Sequence, residues 1–332
     1  MRQMDKDASE YLAERFRRFA EVEARGRSPL YETLALGVAA DPFALEFLAT
    51  LPEQKRQPNL LFAALRHVGS TPPDWQFCRI MLRERVADVR TIMLTRRTQT
   101  NEAGRCATLL PVLAGLPQPL ALIEVGASAG LCLLPDRYGY DYGERRLAPP
   151  SGDAPVFPCR ADRATPLPAA QPRIAWRLGL DLDPLDVENA SDCAWLETLV
   201  WPEQSDRLHR LQAAIQAARH DPPPIVQGDL LADLPACILS APAHRTLVVF
   251  HSAVLAYVAD AALRETFART VHQLGAVWIS NEAPHVFPSV RQRLSRPGPH
   301  NAFLLSLDGT PVAWTDPHGG WIEWIVAEES TA

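Results

Sequence analysis

Small residues, a serine and a carboxylate are combined in the segment 121–136, ALIEVGASAGLCLLPD. An apolar strand pattern ends there in a tight turn and is followed by a predicted helix; the turn consists of Gly126, Ala127, Ser128, Ala129 and Gly130. Because these side chains are small or absent, a ligand can approach the main chain, and the N–H groups that open the helix then face it. Glu124 lies two residues before Gly126. The segment therefore predicts a ligand-binding turn with a carboxylate behind it.

Two kinds of hydrophobic pattern predict the helices and strands that position this turn. In the first hundred residues apolar positions recur every three or four residues, and Ser28-Pro29 and Asp41-Pro42 are helix-start signals. After Pro117, short apolar runs alternate with helical patterns, which is typical of a parallel sheet with crossover helices. The runs cover residues 120–125, 174–180, 225–226, 246–250 and 276–280. Three further runs separated by turns predict an antiparallel meander at 303–307, 312–314 and 321–326.

We therefore predict an α/β fold with a Rossmann-like, doubly wound, mostly parallel sheet that ends in an antiparallel hairpin, together with an all-helical N-terminal region. The predicted boundary divides the chain into a helical region, 1–116, and a Rossmann-like domain, 117–332. Within the second part, residues 139–172 hold seven prolines. A proline-rich segment of this length predicts either a functional loop such as a lid or a disordered insert.

Composition limits the classes of function. The 332 residues carry a net charge of -6, with 47% hydrophobic and 22% charged residues, which is typical of a globular protein without a general attraction for nucleic acid. We expect no membrane span, because the longest apolar stretch, 246–258, is too short and too polar. The polar start of the chain predicts a cytoplasmic protein. Six scattered cysteines without a C-x-x-C pair indicate no metal site.

The turn and its carboxylate read E-x-G-x-S-x-G, which resembles the first motif of class I S-adenosylmethionine-dependent methyltransferases, with serine at the middle glycine. The string VGASAGLCLLPDRYGYDYG also resembles a bacterial domain-of-unknown-function family regarded as methyltransferase-like. Further strings carry the same resemblance across nearly the whole chain: RRTQTNEAGR, GLDLDPLDV, WLETLVWPEQ and VVFHSAVLAYV. The resemblance implies S-adenosylmethionine as cofactor and a small molecule as partner. The oligomeric state stays open.

The resemblance also implies a set of cofactor-binding residues. At the turn these are Glu124, Gly126, Ala127, Ser128 and Gly130. Asp181 and Asp183 follow the second strand, where the family binds the ribose hydroxyls, and Asp229 follows the third, beside the adenine. Gln99 or Asn101 would close over the cofactor from the helical region. Each of the three aspartates has a second interpretation as a turn or helix cap.

Methyl transfer needs little covalent machinery, because the sulfonium is already activated and the protein supplies positioning and proton removal. Groups on the acceptor side are expected after the fourth and fifth strands. We take His251 as the candidate general base, since an imidazole with a pKa of about 6.5 accepts a proton at neutral pH, and Tyr257 as a second candidate catalytic residue. Both have an alternative interpretation as polar residues of the core.

Three other functions stay open. The turn also matches the G-x-S-x-G elbow of α/β-hydrolases, with Ser128 as nucleophile, although no oxyanion loop precedes it. A non-catalytic cofactor-binding protein of the same fold is the second. A dinucleotide oxidoreductase is the least favoured, because only Glu144 is acidic about 20 residues beyond the glycines and no second strand precedes it.

Overall fold

The computed structural model describes residues 2–69, 71–99 and 101–326, and the side chains from residue 8 onward. It divides into two compact units, which we call the helical unit (residues 1–100 and 190–208) and the sheet unit (residues 101–189 and 209–332). This division differs from the one predicted at residue 117. The segment 101–116 lies in the sheet unit, and a later segment returns to the helical unit.

The helices, in chain order, are α1 (Arg2–Arg18), α2 (Pro29–Ala39), α3 (Pro42–Ala49), α4 (Pro58–Val68), α5 (Trp75–Glu84), α6 (Val86–Thr95), α7 (Cys106–Gly115), α8 (Ala190–Leu199), α9 (Ser205–His220), α10 (Leu234–Leu239), α11 (Ala261–Gln273) and α12 (Pro288–Arg291). The strands are β1 (Leu120–Val125), β2 (Gly139–Asp141), β3 (Arg146–Leu147), β4 (Val156–Pro158), β5 (Arg160–Ala161), β6 (Ile174–Asp181), β7 (Ile225–Gln227), β8 (Thr246–Ser252), β9 (Val277–Glu282), β10 (Phe303–Leu307), β11 (Thr310–Thr315) and β12 (Trp321–Trp324).

The predicted helix starts in the helical unit are confirmed by their caps. Ser28 Oγ accepts a hydrogen bond from the Tyr31 N–H at 3.0 Å, and Asp41 Oδ1 accepts one from the Phe43 N–H at 2.9 Å. Each cap satisfies a donor that the first helical turn leaves without a partner, and proline follows at the first helical position. The prediction of an all-helical N-terminal region is confirmed.

The sheet unit is built on one large mixed sheet with the strand order β5-β12-β11-β10-β9-β8-β1-β6-β7. Strands β9, β8, β1, β6 and β7 pair in parallel. Strands β10, β11 and β12 continue the sheet as the predicted antiparallel meander. In this register Glu124 lies beside Gly179 of β6 and Phe250 of β8. The prediction of an α/β fold with a mostly parallel sheet is confirmed.

Two local predictions were wrong. The chain after the glycine turn forms a three-residue 3-10 turn, Leu131–Leu133, because Pro135 lies two residues after it and disfavours a continued α-helix. The segment 139–172 is an ordered insert rather than a loop, with β2, β3 and β4 in a separate small sheet and β5 on the edge of the large one. At its start, the fully buried Tyr138 and Tyr140 donate hydrogen bonds to the carbonyls of Leu131 and Pro135.

The strand order defines where the sheet unit is suited to hold a ligand. From β1 the chain reaches β6 on one side and later β8 on the other. The loops at the carboxyl ends of β1 and β8 therefore diverge, and in open α/β sheets this crevice is the usual ligand position. Ile123, Val125 and Val249 face an apolar core on one side of the sheet, so Glu124 projects to the opposite side.

Candidate functional site

The glycine turn has a left-handed backbone at three positions. The φ angles of Gly126, Ser128 and Gly130 are 71°, 52° and 72°. The Gly126 N–H donates to the Leu180 carbonyl at 2.8 Å, and the Gly130 N–H donates to the Ala127 carbonyl at 2.7 Å. Glycine adopts such angles at no steric cost, whereas the non-glycine residue Ser128 is held there by its surroundings.

Both glycines also allow close packing within the protein. A Cβ atom on Gly126 would overlap Val254 Cγ2, and a Cβ atom on Gly130 would lie 2.6 Å from Pro223 Cγ. The space that a side chain would occupy is therefore filled by the turn after β8 at Gly126 and by the segment before β7 at Gly130. At these two positions glycine allows two segments of the same chain to pack closely.

Asp181 and Asn101, two of the predicted cofactor ligands, hold the main chain of this turn. Asp181 Oδ2 accepts from the Ser128 N–H at 2.7 Å, and its Oδ1 accepts from the Asp183 N–H at 2.8 Å. Asn101 Nδ2 donates to the Ala127 carbonyl at 2.6 Å, and its Oδ1 accepts from the Leu131 N–H at 3.0 Å. Both side chains therefore lie at the turn, and the contacts that they form there are with its backbone.

Glu124 and Ser128 bring unsatisfied polar atoms to the same turn. Glu124 is 5% exposed, and desolvation by burial raises its pKa well above the ordinary value. The nearby Arg105 guanidinium lowers this pKa, but burial is the larger cause. Glu124 Oε2 and Ser128 Oγ have no hydrogen-bond partner among the described residues. A buried polar atom without a partner costs about 1–3 kcal/mol, so both are places where a bound polar group would gain a contact.

Three further predicted cofactor ligands, Asp229, Asp183 and Gln99, differ in exposure and position. Asp229 is exposed, and its Oδ1 accepts from the N–H groups of Leu231 and Ala232 at 2.8 Å and 3.0 Å, which is its alternative interpretation as a cap. Asp183 is half-buried beside Asp181. Gln99 is half-buried and belongs to the helical unit.

The predicted general base His251 lies in the core of the sheet unit, with none of its surface exposed. Its Nδ1 is 2.7 Å from Glu282 Oε1, and its Nε2 accepts a hydrogen bond from the Trp278 indole N–H at 3.0 Å. Because Nε2 accepts, Nδ1 carries the proton and donates to Glu282. Both nitrogens are therefore occupied within the protein, an arrangement that does not suit a base acting on a substrate. Tyr257, the second candidate, is 70% exposed in a 3-10 turn after β8.

Sequence reasoning missed a group of polar residues just after residue 100 and near the end of the chain. Arg105 is 5% exposed and donates to the carbonyls of Pro317 and Ser252 at 2.8 Å and 3.0 Å. Glu102 Oε2 lies 3.3 Å from His318 Nδ1. The only sequence signal was the charged string RRTQTNEAGR between helical patterns, because contacts between such distant segments leave no periodic trace.

The described part of the chain contains neither a grouping of metal-ligating side chains nor a membrane-spanning helix. No cluster of three or more histidine, cysteine, aspartate or glutamate residues with the arrangement of a metal site occurs among the described residues. In the same ranges no helix combines the length and the hydrophobicity required to cross a bilayer.

Comparison with known proteins identifies a family for this chain. Neither a curated protein nor a solved structure matches the chain. Residues 13–324 match a family described as uncharacterized protein conserved in bacteria, DUF2332. Since the match covers nearly the whole sequence, from the helical unit through the glycine turn to the last strand, the chain belongs to the DUF2332 family.

Proposed function

We propose that this protein binds S-adenosylmethionine at the carboxyl edge of the large sheet and transfers its methyl group to a small molecule. The observation that carries the proposal is the position of Asp181. Its carboxylate ends β6 and is hydrogen-bonded to Ser128 in the turn that ends β1. An acid at the end of the second strand, beside the glycine turn of the first, is the arrangement that binds ribose in class I methyltransferases.

The strand order supports the same proposal. The parallel strands lie in the order β7-β6-β1-β8-β9. Counted along the chain among these five, the order is 3-2-1-4-5, which is that of a Rossmann-like sheet. In such sheets the ligand lies at the carboxyl ends of the strands where the order reverses, here β1 and β8.

The residues at the turn are chemically suited to the cofactor. A carboxylate offers about four acceptor positions, and the described contacts of Asp181 use two of them. Asp181 is half-buried and would accept hydrogen bonds from the two ribose hydroxyls. Ser128 Oγ and Glu124 Oε2 supply further unsatisfied polar atoms. Because the raised pKa favours a protonated Glu124, its carboxyl would act as a hydrogen-bond donor.

When bound, S-adenosylmethionine supplies a methyl group on a sulfonium, which needs no further activation. The protein then has to exclude water and align the acceptor with the methyl group. Asn101 and Asp181 contribute by fixing the main chain of the turn from two sides. His251 is left out of the proposed site because both of its ring nitrogens have partners in the core.

The geometry does not favour the hydrolase alternative. Ser128 Oγ has no imidazole partner in the described ranges, and His251 is committed to Glu282 and Trp278. A serine nucleophile requires a base within hydrogen-bond reach. We therefore expect no labelling of Ser128 by a fluorophosphonate probe, and labelling that Ser128→Ala abolishes would favour the hydrolase.

Isothermal titration of the full chain with S-adenosylmethionine and S-adenosylhomocysteine tests the proposal. We expect binding of both, and Asp181→Asn should weaken it by about tenfold or more, because a charge-assisted hydrogen bond contributes roughly 1.5–3 kcal/mol. Circular dichroism of the variant shows whether the fold survives the altered contact with Ser128. The matched control is Asp153→Asn, which changes an exposed aspartate of the insert and should leave the affinity unchanged.

The absence of heat from both compounds with the unmodified protein would rule out the cofactor. Equal affinity of the folded Asp181→Asn variant would rule out the proposed ribose contact. Binding of the cofactor without methyl transfer to any small acceptor would favour the non-catalytic alternative.

A further inference from the structure

A cavity of about 620 Å³ lies in the sheet unit, where the insert meets the hairpin of β11 and β12. Tyr142 and Phe157 form part of its wall, and Arg160, Arg210 and His318 are its basic residues. No residue of the glycine turn lines it. We propose that this cavity binds a small molecule that carries an oxyanion group, with the two arginines on the anion and His318 on a neighbouring polar group.

The two arginines of the cavity have guanidinium groups that are available to a ligand. Neither guanidinium forms a hydrogen bond or an ion pair in the described ranges, although both line the cavity. Arginine keeps its charge at all physiological pH values and presents a planar set of donors that matches a carboxylate or a phosphate. Two such groups around one cavity therefore offer donors that the protein itself does not use.

The acids of the cavity are engaged in turns rather than with these arginines. Asp141 Oδ1 accepts from the Gly143 N–H at 2.9 Å. Asp316 Oδ1 accepts from the N–H groups of His318 and Gly320 at 2.8 Å and 3.2 Å. Both carboxylates thus stabilise turns in the wall of the cavity. A bound oxyanion would accept hydrogen bonds from Arg160 and Arg210.

His318 offers a further hydrogen-bonding group in the wall of the cavity. Its Nδ1 lies 3.3 Å from Oε2 of Glu102, whose side chain is 7% exposed, whereas the imidazole is 42% exposed. When Nδ1–H donates to Glu102, Nε2 remains as the acceptor, and Nε2 has no partner among the described residues. A buried carboxylate therefore orients a half-exposed imidazole in the wall of the cavity.

Two glycines bring this pair together. A Cβ atom on Gly104 would lie 2.6 Å from the His318 carbonyl oxygen, and one on Gly319 would overlap the Gly104 carbonyl. The backbone of segment 102–105 therefore passes against the hairpin turn at a distance that side chains would prevent. This close approach requires glycine at position 104, near Glu102, and at position 319, next to His318.

The dimensions fit a small molecule. Ligand cavities typically measure about 300–1,000 Å³ and combine apolar walls with a few placed polar groups. In this cavity the exposed Pro158 would contact an apolar part of the ligand, because Tyr142 and Phe157 are almost wholly buried. Carboxylates and phosphates both carry the oxyanion that the arginines would bind. The experiment below distinguishes between them.

The test titrates the full chain with inorganic phosphate and, separately, with benzoate, while NMR follows the side-chain nitrogens of the histidines. Loss of signals in His318→Gln assigns His318. We expect a saturable shift of the His318 signals with at least one probe. The double substitution Arg160→Gln and Arg210→Gln should weaken binding by about tenfold or more, because charge-assisted contacts are lost. Arg163→Gln, an exposed arginine of the same insert, is the matched control and should change nothing.

A saturable response to phosphate alone identifies a phosphate-type ligand, and a response to benzoate identifies a carboxylate with an apolar part. The proposal is overturned if neither probe shifts His318 at concentrations up to about 10 mM, which corresponds to a very weak complex. It is equally overturned if the folded double variant binds as tightly as the control. Since neither probe contains S-adenosylmethionine, the outcome is independent of the proposed cofactor site.

Discussion

One carboxylate oxygen of Glu282 accepts three hydrogen bonds at the carboxyl edge of the sheet. Its Oε1 accepts hydrogen bonds from His251 Nδ1 and from the N–H groups of Val254 and Leu255, at 2.7 Å, 2.9 Å and 3.0 Å. The carboxylate at the end of β9 therefore holds the turn that follows β8. Since all three donors are shielded from bulk water to a large degree, their common acceptor matters for stability.

We expect Glu282→Ala to lower the free energy of unfolding by about 3–5 kcal/mol, because a buried imidazole and two backbone donors lose their acceptor together. Urea unfolding followed by circular dichroism measures this loss. Glu144→Ala, which removes an exposed carboxylate of the insert, should stay within about 0.5 kcal/mol of the unmodified protein. A loss for Glu282→Ala as small as that of the control would contradict the structural role.

Glu124 makes the stability of the sheet unit dependent on pH. Burial raises its pKa well above 4.5, the value expected in the unfolded chain. The folded protein therefore binds the extra proton, and the stability contributed by this carboxyl is complete below pH 4.5 and is lost as the pH rises through the folded value. Glu124→Gln has no such ionisation, because the amide stays neutral.

We therefore expect the free energy of unfolding of Glu124→Gln, relative to the unmodified protein, to increase with pH. The slope is at most about 1.4 kcal/mol per pH unit until the folded pKa is reached. Urea unfolding between about pH 5 and pH 8 measures the difference, with Glu144→Gln as control. A difference that does not change with pH would show that Glu124 is ionised in the folded protein.

On the scale of elements, the turn after β1 and the turn after β8 are packed through one glycine. Gly126 has a φ of 71°, and a Cβ there would overlap the Val254 side chain. We expect Gly126→Ala to destabilise the protein by about 2–4 kcal/mol, from backbone strain and overpacking together. Denaturant unfolding measures the loss. Gly152→Ala, at a glycine with no atom within 4 Å of the added carbon, is the control.

A double-mutant cycle separates the two causes. If overpacking contributes, Gly126→Ala should cost less in a Val254→Ala background, because the atoms that it meets are gone. The remaining cost then reports the strain of the left-handed backbone. Equal costs in both backgrounds would mean that the two turns do not contact each other through this position.

The same elements show what the sequence can predict. Strands β1 and β8 were predictable because buried parallel strands leave uninterrupted apolar runs, and β6 was predictable because only Arg177 interrupts its apolar run. The insert was not, because its prolines suggested a loop and its strands of two or three residues are too short to leave an apolar pattern. His251 was predicted to follow the fourth strand but lies within β8, and its burial depends on Trp278 and Glu282 from the next strand. Glu102 and His318 could not be paired, since only the fold brings them together.

At the scale of the whole molecule, the chain leaves the helical unit at residue 100 and returns to it for residues 190–208. This returning segment supplies α8 and contacts that the first hundred residues lack. Trp195 is fully buried and donates from its indole N–H to the Arg97 carbonyl at 2.9 Å. Arg66 donates to the carbonyls of Thr198 and Val200 at 2.8 Å and 2.6 Å.

The helical unit should therefore fold only when both of its pieces are present. We expect the fragment 1–100 to remain largely unfolded, and the same fragment joined to residues 190–208 through a flexible glycine-serine linker to unfold cooperatively. Far-ultraviolet circular dichroism and tryptophan fluorescence measure both. Trp195→Ala in the joined fragment should cost about 3–5 kcal/mol, as expected for a large buried side chain, whereas Glu197→Gln, on the same helix, keeps the packing and serves as control. Equal cooperativity of the fragment 1–100 alone would show that α8 covers a core that is already complete.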